Sequence, residues 1–138
     1  PFRILALEKE VNEVFKINDT QSVLIHGYID RIDELNGGIR ILDYKTGKVA
    51  KKKFNEIADL FHDPVYKEQF QAMLYAFLVR KNYLDRAIRS GLITLKDMSN
   101  GIWYLQQGEP FSNEQFLEFE NQLRLLISKI LDPSVAFT

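Results

Sequence analysis

Apolar positions along the chain follow two different periods. Residues 22 to 34 (Ser-Val-Leu-Ile-His-Gly-Tyr-Ile-Asp-Arg-Ile-Asp-Glu) and 39 to 46 (Ile-Arg-Ile-Leu-Asp-Tyr-Lys-Thr) are rich in β-branched and aromatic residues. Asn36-Gly37-Gly38 lies between them, which predicts a β-hairpin. Residues 2 to 17 are ambiguous. Ile4, Leu7, Val11 and Val14 match a helical stripe, the density of Val, Phe and Ile also suits a strand, and periodicity alone favours a helix. Asp63-Pro64 supplies an N-cap and a first-turn proline. Tyr66, Phe70, Met73, Leu74, Phe77 and Leu78 follow at helical spacing, predicting a helix from about 64 to 83. Residues 101 to 105 read as a short strand. Ser112 with Gln115 forms a capping-box pattern ahead of Phe116, Phe119, Leu123, Leu126 and Ile130, an amphipathic helix ending near Asp132-Pro133. Strands, helix, strand, helix is the order of an α/β or α+β domain with a mixed sheet.

Composition narrows the picture. With 138 residues, 46% of them hydrophobic and 12% aromatic, the chain can bury one core, and residues 1–138 are expected to form a single domain. A net charge of -1 advertises no polyanionic partner globally, so contact with nucleic acid would need a local patch. Without cysteine there are no disulfides, thiolate metal sites or cysteine nucleophiles, and His26 and His62 are the available nitrogen ligands. No apolar run approaches the roughly 18 residues that span a bilayer and no signal-peptide pattern opens the chain, so a soluble, cytoplasmic protein is expected. The first residue is Pro1, which suggests a piece of something longer.

The hairpin concentrates the candidate chemistry. Side chains two apart on a strand share a face, so Asp43 and Lys45 project together while Tyr44 points away. With Asn36 and Gly37 as the central turn residues, Leu35 pairs with Gly38 and Asp30 falls opposite Asp43. With Gly37-Gly38 at the centre, Asp30 faces Lys45 and lies diagonal to Asp43. Both turns gather Asp30, Asp43 and Lys45 on one face. Opposed like charges destabilise a sheet, so a proton, the Lys45 ammonium or a divalent cation must offset them. Oxygen donors without thiolates suit Mg²⁺ or Mn²⁺.

These residues resemble a known family. The run Gly27-Tyr-Ile-Asp-Arg-Ile-Asp33, a short turn, then Ile41-Leu-Asp-Tyr-Lys-Thr-Gly-Lys48, and later Gln71-Ala-Met-Leu-Tyr75 looks like the RecB-type branch of the PD-(D/E)xK nuclease superfamily. The resemblance implies a restriction-endonuclease-like α/β core and a metal-dependent deoxyribonuclease. Asp30, Asp43 and the Tyr44 carbonyl would hold Mg²⁺ or Mn²⁺, and Lys45 would orient or activate the attacking water. Gln71 and Tyr75 would contact the DNA backbone or the catalytic residues. Glu8 resembles an acidic residue on the strand before the hairpin and could be a third carboxylate, which turns the expectation for residues 3 to 17 from helix to strand.

The same likeness implies DNA as partner, an exonuclease role in repair or recombination, and a helicase domain or subunit alongside. Lys48, Lys51, Lys52 and Lys53 form a basic segment beside the site that could bind phosphates. Trp103, Tyr104, Phe116 and Phe119 are expected in the core, with Tyr66 or Tyr83 as candidates for base stacking. Relatives usually carry a His ligand on a helix upstream and often a cysteine cluster for iron and sulfur downstream. The sequence begins too late to show the first and ends without any cysteine, and His26 does not occupy the place of that ligand. A module that keeps the fold and binds nucleic acid without cutting, or serves as a structural part of a helicase-nuclease complex, is the competing reading.

Overall fold

A computed structural model describes residues 1–132. Five strands form one mixed sheet in the order β1-β2-β3-β4-β5. They are β1 (Phe2–Lys16), β2 (Ser22–Leu35), β3 (Gly38–Lys45), β4 (Ile88–Thr94) and β5 (Trp103–Tyr104). β1, β2 and β3 form an antiparallel meander, β3 and β4 are parallel, and β5 returns antiparallel to β4. A parallel pair needs a long crossover, and the 46–87 segment supplies it. That crossover contains helices α1 (Asp59–His62) and α2 (Lys67–Val79). The last element is α3 (Asn113–Leu131).

The helix expected from 64 to 83 is divided in three. A 3-10 turn, Pro64–Tyr66, is capped by the Asp63 side chain on the Val65 amide; α2 follows, and a second 3-10 turn, Arg80–Tyr83, closes the run. The α3 capping box is present, with the Ser112 hydroxyl on the Gln115 amide and the Gln115 side chain on the Ser112 amide. The β-reading of residues 3 to 17 holds and the helical periodicity misleads. A bulge between Ile4 and Ala6 and a left-handed backbone at Glu8 (φ 48°) break the two-residue alternation, leaving apolar spacing that imitates a helix.

β4 escaped the sequence reading, and the 101–105 strand shrinks to Trp103–Tyr104. Leu126 and Ile130, expected to pack inward, are exposed on α3, whereas Phe116, Phe119 and Leu123 are buried. Trp103 is only half-buried rather than part of the core. Tyr66 is buried with its hydroxyl on the Lys53 carbonyl, which removes it as a stacking surface.

The core lies on both sides of α2. Ile32, Ile39, Ile41, Leu92, Met73 and Ala76 fill the sheet side, and Phe119 of α3 meets Phe61, Phe70 and Phe77 with ring centroids 5.1 to 5.6 Å apart. Each fully buried side chain of this size contributes roughly 1.5–3 kcal/mol. The Ser90 hydroxyl donates to the Ala72 carbonyl at 3.1 Å and ties α2 to β4. No helix among the described residues is long and apolar enough to cross a membrane.

Candidate metal and active site

The hairpin turn decides the register. Asn36 (φ 52°) and Gly37 (φ 82°) both take the left-handed backbone that a two-residue type I′ turn requires, which asparagine and glycine adopt at least cost. Leu35 therefore pairs with Gly38, and the ladder runs outward through Asp33↔Arg40 to Arg31↔Leu42. The next step of the count sets Asp30 against Asp43, but no backbone pair forms there. Instead the Tyr44 amide donates to Asp30 Oδ2 at 2.8 Å, so a side chain takes over from the ladder.

Asp43 is buried at 8% exposure. Its Oδ2 lies 2.7 Å from the Lys45 ammonium, yet accepts no aligned hydrogen bond. Burial first, and then the neighbouring Asp30 carboxyl, push the Asp43 pKa up to about 6, while Lys45 pulls the other way. The Lys45 ammonium also donates to Gln71 Oε1 at 2.6 Å, and Gln71 Nε2 donates to the Tyr75 hydroxyl at 3.2 Å. Gln71 and Tyr75 stand one turn apart on α2, so the helix offers both polar tips to the end of β3. Asp30, Asp43, Lys45, Gln71 and Tyr75 thus form one connected polar group.

Tyr44 points away from this group, as its place in the strand requires, and its hydroxyl accepts from Arg31 at 3.4 Å. Its backbone carbonyl remains the candidate ligand. Glu8 falls between Leu7 and Lys9, which pair with Arg31 and Ile29, and so stands across from Asp30 with an exposed side chain. Among the described residues no three His, Cys, Asp or Glu side chains converge tightly enough to hold a metal, so Glu8 is not drawn into the pair of aspartates. His26 is exposed beside Asn12 and Tyr28. Lys48, Lys51, Lys52 and Lys53 are exposed on the loop after β3.

The donor set suits a hard cation. Two neighbouring carboxylates, one of them buried with an oxygen short of hydrogen bonds, leave a negative charge that Lys45 only partly balances. Mg²⁺ is commonly held by one or two carboxylates together with water and substrate phosphate, so a third acid is not required.

Two supporting residues were not singled out from sequence. A Cβ on Gly27 would stand 2.8 Å from the Tyr75 ring, so the absence of a side chain there lets Tyr75 lie against β2. Asp33 is fully buried and accepts from Arg40 at 2.7 and 2.8 Å and from Arg31 Nε at 3.0 Å, with Arg31 Nη2 in an ion pair 2.7 Å away. This hydrogen bonding holds the Arg40 guanidinium above its ordinary pKa, and the cluster clamps β2 to β3 three residues from Asp30. The signal was available in Gly27-Tyr-Ile-Asp-Arg-Ile-Asp33, whose glycine and second aspartate have these two uses.

The family model of the PD-(D/E)XK nuclease superfamily matches residues 1–138. A solved structure described as "Crystal structure of SSO0001" is similar with a TM-score of 0.42 and 14% identity, over 96% of this chain and 61% of that one. This chain therefore spans less than two thirds of that protein's length.

Proposed function

Because this chain belongs to the PD-(D/E)XK nuclease superfamily, we propose that it hydrolyses DNA phosphodiesters with Mg²⁺ or Mn²⁺ at the Asp30–Asp43–Lys45 group. The observation that carries this reading is the position of Lys45, whose ammonium is held between Asp43 Oδ2 at 2.7 Å and Gln71 Oε1 at 2.6 Å. Asp30, Asp43 and the Tyr44 carbonyl would hold the ion. Once bound, a divalent cation lowers the pKa of a water molecule and polarises the phosphoryl group. Lys45 orients that water and neutralises charge growing on the phosphate, with the benefit of a partly buried setting. Gln71 restricts the lysine to one position, and Tyr75 holds the Gln71 amide so that its oxygen faces the ammonium.

The RecB-like branch is part of the same proposal, supported by the order and spacing of the Gly27–Asp33, Ile41–Lys48 and Gln71–Tyr75 motifs. It brings with it exonucleolytic cleavage in repair or recombination beside a helicase.

The test is cleavage of end-labelled DNA with Mg²⁺ or Mn²⁺ by the wild-type protein, Asp43→Ala and Lys45→Ala. Each variant should lose at least about 100-fold in rate, the scale on which removal of one transition-state stabilising group is felt. Equal cleavage by all three would remove the assignment. Short products released from the start would support the exonuclease, and internal cuts would count against it.

A further inference from the structure

The hairpin turn borders a second polar cavity, on the face of the sheet away from α2. Strand alternation sets Arg40 and Leu42 opposite to Ile41 and Asp43, and sets Arg89 and Gly91 opposite to Ser90, whose hydroxyl meets α2. Arg40 pairs with Arg89 across β3 and β4, and Gly91 with Tyr104 across β4 and β5. Arg40, Arg89 and Tyr104 therefore share one face. With the backbone of Gly38 and Gly108 they line a cavity of about 280 Å³. Among the described residues no carboxylate lines it.

Its donors are only partly used. Arg40, 7% exposed, donates to both oxygens of Asp33 and, at 2.9 Å, to the Tyr104 hydroxyl. Because that hydroxyl accepts from Arg40, its own proton is directed elsewhere, and it finds no acceptor among the described residues. Arg89 donates from Nε to the Gly108 carbonyl at 2.6 Å, which anchors its guanidinium. Its two terminal nitrogens meet neither a carbonyl nor an acid among the described residues. Gly38 makes room for them, since a Cβ there would stand 3.2 Å from Arg89 Nη1. Arg31 shares Asp33 with Arg40, so on this face of β2, β3 and β4 three cations are set against one carboxylate.

We propose that this cavity is a phosphate site, which takes inorganic phosphate or the terminal phosphate of a small ester. The Arg89 fork binds two oxygens of such a group side by side, Tyr104 donates to a third from another strand, and Arg40 adds its charge. A carboxylate has two oxygens in one plane and would leave a donor unused. Size limits what the phosphate can carry, because sites for whole drug-sized molecules begin at roughly 300 Å³. A phosphodiester inside a strand, with chain leaving on both sides, is excluded on the same ground. Arg40 stands three residues before Asp43, about 10 Å along the strand and on the other face, so the site is separate from the metal centre. It does not depend on the nuclease reading.

Binding is followed by phosphorus NMR at constant ionic strength in EDTA, using inorganic phosphate, thymidine 5′-monophosphate, and a dinucleotide whose only phosphate is the internal diester. The first two should bind about ten-fold tighter than the third, the scale of one hydrogen bond to a charged group. Arg89→Lys keeps the charge without the fork and should weaken phosphate about ten-fold. Tyr104→Phe keeps the ring and should weaken it several-fold; it decides the matter should Arg89→Lys fail to fold. Lys45→Ala should bind phosphate as the wild type does, which separates this site from the catalytic lysine. The site is overturned by a wild type that takes up no phosphate at about 10 mM, or by equal binding of the dinucleotide. Wild-type affinity in a cooperatively melting Arg89→Lys, or loss of binding in Lys45→Ala, does the same. Since no metal is present, the result stands apart from the cleavage assay, and either reading can fail without the other.

Discussion

Asp30 accepts the Tyr44 amide at 2.8 Å just beyond the last backbone pair of the hairpin, so one carboxylate both ends a ladder and faces a second acid. The two uses separate by substitution. Asp30→Asn keeps an acceptor for the Tyr44 amide and removes a charge, so its metal-free stability should match or exceed wild type. Asp30→Ala loses the acceptor as well and should be less stable than Asp30→Asn by about 1–2 kcal/mol. Both should lose cleavage and millimolar Mn²⁺ binding. Urea denaturation and calorimetric titration would check this; equal stability of the two variants would mean that the Tyr44 contact contributes nothing.

Asp43 makes metal-free stability depend on pH in an unusual direction. Its pKa in the folded protein, about 6, exceeds the ordinary carboxyl value, so the folded state binds this proton more tightly than the unfolded chain. The resulting stabilisation is complete below about pH 4 and disappears as pH rises through 6. Asp43→Asn should therefore match wild type near pH 4 and melt at the same or a higher temperature at pH 7. Divalent binding should weaken as pH falls below 6, because the ion competes with that proton. A large drop in the variant's melting temperature at pH 7 would make Asp43 a structural anchor instead.

Gly27→Ala places a methyl group 2.8 Å from the Tyr75 ring. Overpacking of this kind costs about 1–3 kcal/mol, and displacing Tyr75 should also disturb Gln71 and slow cleavage. In a Tyr75→Ala background the same substitution should cost far less. A double-mutant cycle by thermal melting measures this coupling, and additive effects would show that the two residues do not meet.

Asp33 should behave as a scaffold residue. Asp33→Ala strands Arg40 and Arg31 in a buried setting and should cost about 3–5 kcal/mol, with activity lost in proportion to folded protein. Denaturation curves beside specific activity per folded molecule separate this from the Asp43 variants, which should stay folded and inactive.

Much of the candidate site could be read from sequence because its geometry is local. Strand alternation and the Asn36-Gly37 turn together brought Asp30, Asp43 and Lys45 onto one face, and helical spacing grouped Gln71 with Tyr75. Long-range features were harder to see. β4 reads Ile-Arg-Ser-Gly-Leu-Ile-Thr, a short run interrupted by Gly91, and its parallel partner is some fifty residues away. Gly91 weakens the strand signal for a reason visible only in three dimensions, since a Cβ there would stand 2.5 Å from Ile102. Trp103 looked like a core residue because nothing local shows that the lysine loop leaves its ring beside a groove.

The tight turn at Asn36-Gly37 has a consequence for how such a chain can diverge. A single codon inserted there would slide one strand past the other and send every side chain of one arm to the wrong surface. The exposed stretch 46–48 carries no such bookkeeping and can lengthen or shorten at little cost, whereas Lys52, Lys53 and Phe54 beyond it are tied to α2 and the core. Variation in length among descendants of this gene should therefore collect after the lysine and spare the bend before it.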